Sequence, residues 1–128
     1  DGCVSIGMTN AMDISGGGSV LGFQTGLVGF QRGSCQPVGD TDPEAVFQLT
    51  GPATGTVDLT AYSLDFVPDI YLRSGMCAGG PEVGCALGAP IGGGVNSASL
   101  RRAVTVGSTY YFFVDGGRSV YALYYSPR

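Results

Sequence analysis

The sequence predicts an all-β domain of short strands packed as a sandwich or barrel. Three observations carry this. No long window places apolar residues at i, i+3 and i+4, and glycine, 23 of the 128 residues, interrupts nearly every window long enough for a helix. Short runs that alternate apolar and polar residues recur instead. Lastly, the run GSTYYFFVDGG, Gly107 to Gly117, is apolar on both of its faces. Neighbouring side chains of a strand point to opposite sides, so a strand of this kind needs cover on two sides.

Taken in order, the first third is the least regular. VSIGM and AMDIS read as short strands flanking Thr9-Asn10, and Val20 to Gln24 and Leu27 to Phe30 as two more, set in the glycine-studded stretch from Ser15 to Ser34. AVFQLT, Ala45 to Thr50, puts Ala45, Phe47 and Leu49 on one face. GTVDLTAY, Gly55 to Tyr62, puts Val57, Leu59 and Ala61 inside. DIYLRS, Asp69 to Ser74, puts Ile70 and Leu72 inside and Tyr71 and Arg73 outside. SLRRAVTV, Ser99 to Val106, brings Leu100, Arg102, Val104 and Val106 to one face, with Arg102 a misfit expected near the start of its strand. TYYFFVD and RSVYALYYS complete the series, joined across Gly116-Gly117 in what reads as a tight two-residue hairpin.

Composition narrows the function. Charged residues are 12% of the chain, mean hydropathy is +0.23 and the net charge is −4. An acidic chain is a poor partner for nucleic acid or anionic membranes, which call for basic patches. No apolar run approaches the ~18 residues of a membrane-spanning helix. With neither His nor Lys, no Ser–His, Cys–His or Ser–Lys pair is available for nucleophilic catalysis. The Gly16-Gly17-Gly18 and Gly92-Gly93-Gly94 runs lack the lysine and the following helix of a phosphate loop and read as ordinary loops. The chain opens at Asp1 without an initiator Met, as expected of a processed form or an excised domain.

Four cysteines, Cys3, Cys35, Cys77 and Cys85, form no CxxC pair and have no His to complete a zinc site. They predict two disulfides and an oxidising, extracellular location. Cys77 and Cys85 bound a short loop, which predicts that they pair locally and leave Cys3 to Cys35.

The block DPEAVFQLTGPATGTVDLTAYSLDFVPDIYLRSGMCAGGPEVGCA, followed by SASLRRAVTVGSTYYFFVDGG, resembles the bacterial pre-peptidase C-terminal domain. The likeness spans about Asp42 to Tyr125 and rests mainly on Gly107, Thr109, Tyr110, Tyr111, Val114, Asp115 and Gly116. It implies an antiparallel β-sandwich of jelly-roll type, which the cysteines would staple with disulfides. It also implies a secreted, non-catalytic module of the kind appended to peptidases, some of which bind calcium or polymeric substrates. The expected organisation is one domain over residues 1–128, with a Gly-rich arm over 1–36 and a core over 42–126.

Three sets of candidate residues follow. Asp40, Asp42 and Glu44 alternate in GDTDPE, and Asp65 and Asp69 bracket Phe66, Val67 and Pro68. These are hard oxygen donors of the type calcium takes, and equally acids of the type that cap turns. Calcium is therefore the one cofactor to consider. Tyr62, Tyr71, Tyr111, Tyr121 and Tyr125 form a candidate aromatic platform for sugar, although Trp is absent. The third set is an interface between copies of the chain: Val20, Leu21, Phe23, Leu27 and Phe30 on the arm, which would add a strand to a neighbour, and Tyr111, Phe113, Tyr121, Leu123 and Tyr125 on the final hairpin. The absence of lysine, which commonly guards edge strands, points the same way. A self-assembling filament or surface-layer subunit is the first functional expectation, and an accessory binding module of a secreted hydrolase the second.

Overall fold

A computed structural model describes residues 12–13, 17–23, 34–35, 44–75, 81–115 and 120–127. It is all-β, with ten strands among these residues and no helix: β1 (Met12–Asp13), β2 (Gly18–Phe23), β3 (Glu44–Thr50), β4 (Thr56–Ser63), β5 (Asp69–Ser74), β6 (Glu82–Ala86), β7 (Ala89–Gly92), β8 (Val95–Ala103), β9 (Thr109–Asp115) and β10 (Val120–Pro127). Two five-stranded sheets form. The first has the order β1-β3-β9-β5-β6 and the second β2-β10-β4-β8-β7. All described pairings are antiparallel except β1 with β3. The predicted sandwich and its disulfide staple are both present.

The core lies between the sheets. β4 shows why: its burial alternates strictly along Thr56–Ser63, with Val57, Leu59 and Ala61 fully buried as predicted. Phe47 and Leu49 of β3, Ile70 and Leu72 of β5, Leu100 of β8, and Tyr110, Phe112 and Val114 of β9 meet them. Phe47 and Phe112 are cross-strand partners with ring centroids 6.4 Å apart.

At one end, the β3–β4 loop and the β8–β9 turn lock together. Both connections cross between the sheets. The Gly51 N–H donates to the Ser108 carbonyl at 2.8 Å, and the Gly107 N–H donates to the Gly51 carbonyl at 3.0 Å. A β-carbon on Gly51 would lie 2.0 Å from the Thr105 carbonyl oxygen, so only glycine permits this approach. The Tyr110 hydroxyl completes the corner by accepting the Thr105 N–H at 2.6 Å.

Four expectations are corrected. The Gly116-Gly117 hairpin does not form. β9 is flanked on both sides, by β3 and by β5, so β10 has no free edge to join and pairs in the other sheet between β2 and β4. β8 begins earlier than predicted and ends at Ala103, which places Arg102 at the strand's end and leaves Val106 in the following turn, 58% exposed. Arg102 is tolerated on the inward phase because its side chain runs over Gly84 of the opposing sheet, where a β-carbon would collide with it. Tyr71 lies on the outward phase as predicted but is fully buried there, which removes it from the aromatic platform expected for sugar. Finally, Cys85 pairs with Cys35, 50 residues away, which overturns both the local Cys77–Cys85 pairing and the Cys3–Cys35 pairing left over from it. Cys3 and Cys77 lie outside the described residues.

Candidate functional site

A sandwich has two outer faces, and in this chain they differ. On the first sheet the outward phase brings Val46, Phe113, Tyr71 and Cys85 side by side across β3, β9, β5 and β6. Tyr71 and Phe113 stack almost parallel, with centroids 4.4 Å apart and planes 6° apart. The Arg73 guanidinium sits 5.4 Å from the Tyr71 ring centre and 5.8 Å from that of Phe113, within reach of a cation–π attraction. Tyr111 and Cys85 pack around this cluster.

Tyr71 and Phe113 have no exposed area, although they point away from the core. The cover comes from the chain itself. The Cys35–Cys85 disulfide fixes the segment at residues 34–35 to this face, and the Cys35 N–H points at Cys85 Sγ at 3.3 Å. The Ser34 N–H donates to Glu82 Oε1 at 2.8 Å, and the Ser34 hydroxyl donates to the other oxygen of the same carboxylate. The second greasy side of TYYFFV therefore meets its own molecule.

The second sheet presents an open face. Three rows cross it. The Tyr62 and Tyr124 rings meet edge to face at 5.5 Å. Tyr124, Thr60 and Ser99 are cross-strand neighbours on β10, β4 and β8, and the Thr60 and Ser99 hydroxyls lie 3.2 Å apart. One row further, the Arg101 guanidinium grips Asp58 with two hydrogen bonds, of 2.6 and 2.9 Å. That carboxylate favours the charged guanidinium, raising its pKa further. A shallow groove of about 440 Å³ runs over Thr60, Ser99, Asp58 and Arg101. Tyr124 is 49% exposed, the one large aromatic among the described residues that opens so widely to solvent. Aromatic surface, hydroxyls and a charge pair in adjacent rows suit the binding of an extended ligand.

The predicted site residues fall as follows. Phe113 and Tyr125 are buried within the chain, so neither offers an interface to another copy. Tyr125 enters the core opposite Leu59, and the outward tyrosine of that pair is Tyr124. Burial raises the pKa of the Tyr125 phenol, whose hydroxyl has no hydrogen-bond partner. Val20, Leu21 and Phe23 belong to β2, which adds its strand to β10 of the same chain rather than to a neighbour. Tyr121 and Leu123 lie in β10, but their side chains fall outside the described residues, as do Leu27 and Phe30. Tyr111 stands half-buried beside the covered cluster.

Of the acids, Asp69 is the cross-strand partner of Asp115, which in turn pairs with Glu44. Asp69 Oδ1 accepts the Gly88 N–H at 3.1 Å, while Asp65 is exposed on the β4–β5 loop, its N–H donated to Ser63 Oγ. Asp40 and Asp42 lie outside the described residues, and no group of three metal-ligating side chains assembles among those described. Asp115, one of the residues that carry the family resemblance, is 1% exposed and stands between Glu44 and Asp69 in the ladder.

A solved structure shares this architecture. The pre-peptidase C-terminal domain of a collagenase from Bacillus anthracis superposes with a TM-score of 0.56, covering 91% of this chain and 95% of that one at 15% sequence identity. At that identity the likeness establishes the fold, and the fold implied by the sequence resemblance is thereby the observed one. No protein-family model matches the sequence, and no curated protein does.

Proposed function

We propose that this chain is a non-catalytic accessory module of an exported protein, and that it holds an extended polymer on the outer face of its second sheet. The single observation that carries this reading is the asymmetry of the two faces. On one aromatic face Tyr71 and Phe113 are fully buried within the chain, while the other leaves Tyr124 open beside Tyr62, Thr60, Ser99 and the Asp58–Arg101 pair. The shared fold with the domain of a collagenase supports an appended role, and the disulfide fits an extracellular location. The self-assembling subunit is the weaker reading, since β2, Phe113 and Tyr125 are used inside the chain.

Co-sedimentation with a panel of insoluble polymers (protein fibres, cellulose, chitin) tests the proposal. Wild-type chain is expected in the pellet with at least one of them. Tyr124→Ala is expected to remain in the supernatant while keeping its melting temperature. Equal pelleting of the two proteins, or none of the wild type with any polymer, overturns the assignment.

A further inference from the structure

On the outer face of the second sheet, β4 turns Asp58, Thr60 and Tyr62 outward, and β8 sets Arg101, Ser99 and Ser97 directly opposite them. Charge is the first selector of what this face holds. Among the described residues lining the groove, only Asp58 and Arg101 are charged. They bond to each other through two hydrogen bonds, so the groove carries no net charge. An acidic polymer would find the guanidinium already matched by a carboxylate, and the chain's net charge of −4 opposes it further. A basic polymer would find the carboxylate matched in the same way. The ligand that complements such a groove is uncharged.

Hydrogen bonding is the second selector. β4 and β10 are flanked on both sides, so their backbone groups beneath the groove are taken up by the ladders. A peptide laid across this face would bring its own N–H and C=O groups and find no backbone to pair with. A glycan brings hydroxyls, each both donor and acceptor, and the Thr60 and Ser99 hydroxyls and the ion pair answer them. Two of the five guanidinium N–H groups of Arg101 go to Asp58, and its side chain is 61% exposed, so it retains donors for a ligand.

Shape is the third. Tyr124 lies beside Thr60 and diagonal to Asp58, and diagonal neighbours in a ladder stand about 7–8 Å apart. A pyranose with equatorial hydroxyls has a face of C–H groups that packs on an exposed ring. The next sugar of the chain then lies over the hydroxyls and the ion pair. We infer that the polymer is an uncharged polysaccharide of equatorially substituted pyranoses, of the cellulose or chitin type, stacked on Tyr124 and hydrogen-bonded by Arg101. The inference rests on reading this face as the polymer-binding one and adds the chemical class of its ligand.

Calorimetric titration of the chain with cellohexaose, chitohexaose, polygalacturonate and a collagen-type peptide tests it. One or both neutral oligosaccharides are expected to bind at least about tenfold more tightly than the other two probes. That affinity should change by less than about twofold between about 0.05 and about 0.5 M salt, since no charge on the ligand is there to be screened. Arg101→Met is expected to weaken it about tenfold with the melting temperature unchanged, because an exposed ion pair adds little stability. Asp58→Asn leaves the guanidinium charge unbalanced and is expected to gain at least about tenfold for polygalacturonate, in a salt-dependent way. Tyr124-dependent binding of polygalacturonate or the peptide, with neither oligosaccharide bound, overturns the inference and leaves the binding face standing. So does oligosaccharide binding indifferent to Arg101→Met, or no gain for polygalacturonate in Asp58→Asn. Binding of no probe, or binding untouched by Tyr124→Ala, overturns the binding face and the inference together.

Discussion

The outer faces of the two sheets carry similar chemistry and have opposite fates. Each bears a pair of aromatic rings and an arginine: Tyr71, Phe113 and Arg73 on the first sheet, Tyr62, Tyr124 and Arg101 on the second. On the first the rings lie flat against one another and are sealed, so the face works as a second, smaller core. On the second the rings meet edge to face, one stays half in water, and the arginine is held by Asp58 rather than laid over the rings. Exposure of an aromatic side chain thus separates the sealed face from the open one, where residue type alone does not.

Removing a ring from the sealed face carries the largest cost. Phe113→Ala is expected to destabilise by about 3–5 kcal/mol, the usual range for a buried phenylalanine, as read by chemical denaturation. A tyrosine removed from the open face should lie within about 0.5 kcal/mol of wild type. Gly51→Ala attacks what both faces depend on, the locked pair of crossovers. With a β-carbon 2.0 Å from the Thr105 oxygen, a loss of about 3 kcal/mol is expected in the same assay. Cys35→Ser tests whether the cover belongs to the sealed face. A loss of about 2–4 kcal/mol is expected, together with increased binding of a hydrophobic dye, whereas the same variant should leave polymer binding intact at temperatures where it is folded.

The smallest effect concerns Tyr125. Its hydroxyl is buried without a partner, so Tyr125→Phe is expected to be neutral or slightly stabilising at pH 7. The sign at alkaline pH follows from the raised phenol pKa. The unfolded chain begins to release this proton near pH 10 while the folded chain retains it, so stability falls as pH rises above about 10. Melting curves between pH 8 and 11 should show that fall, and Tyr125→Phe should lessen it.

Much of the fold was legible because β-strands write their burial with a period of two, and β4 does so without error. What failed was phase and partnership. The adjacent pair Tyr124-Tyr125 announces a strand with one tyrosine on each face, but only the register against Leu59 decides which one turns inward. The Gly116-Gly117 signal is local, and it loses to β3 and β5, which come from far along the chain to occupy both edges of β9. The cysteines fail for the same reason. A short sequence separation favours Cys77 with Cys85, but the β5–β6 ladder sets Cys85 beside Tyr71 on the outer face, where Cys35 reaches it. That TYYFFV needed a second cover was readable from its composition. That the cover comes from within the molecule was not, since the burial of Phe113 depends on Val46 and Tyr71, brought beside it from β3 and β5.

We place the ligand on the second sheet's outer face and not on the first's. Amide and aromatic NMR shifts of the chain, titrated with soluble fragments of whichever polymer it pellets with, test this most directly. The residues expected to be perturbed are Tyr62, Tyr124, Thr60, Ser99 and Arg101. Perturbations centred on Tyr111 of β9 and its cross-strand neighbours Arg73 and Gln48, with the second sheet silent, would contradict it.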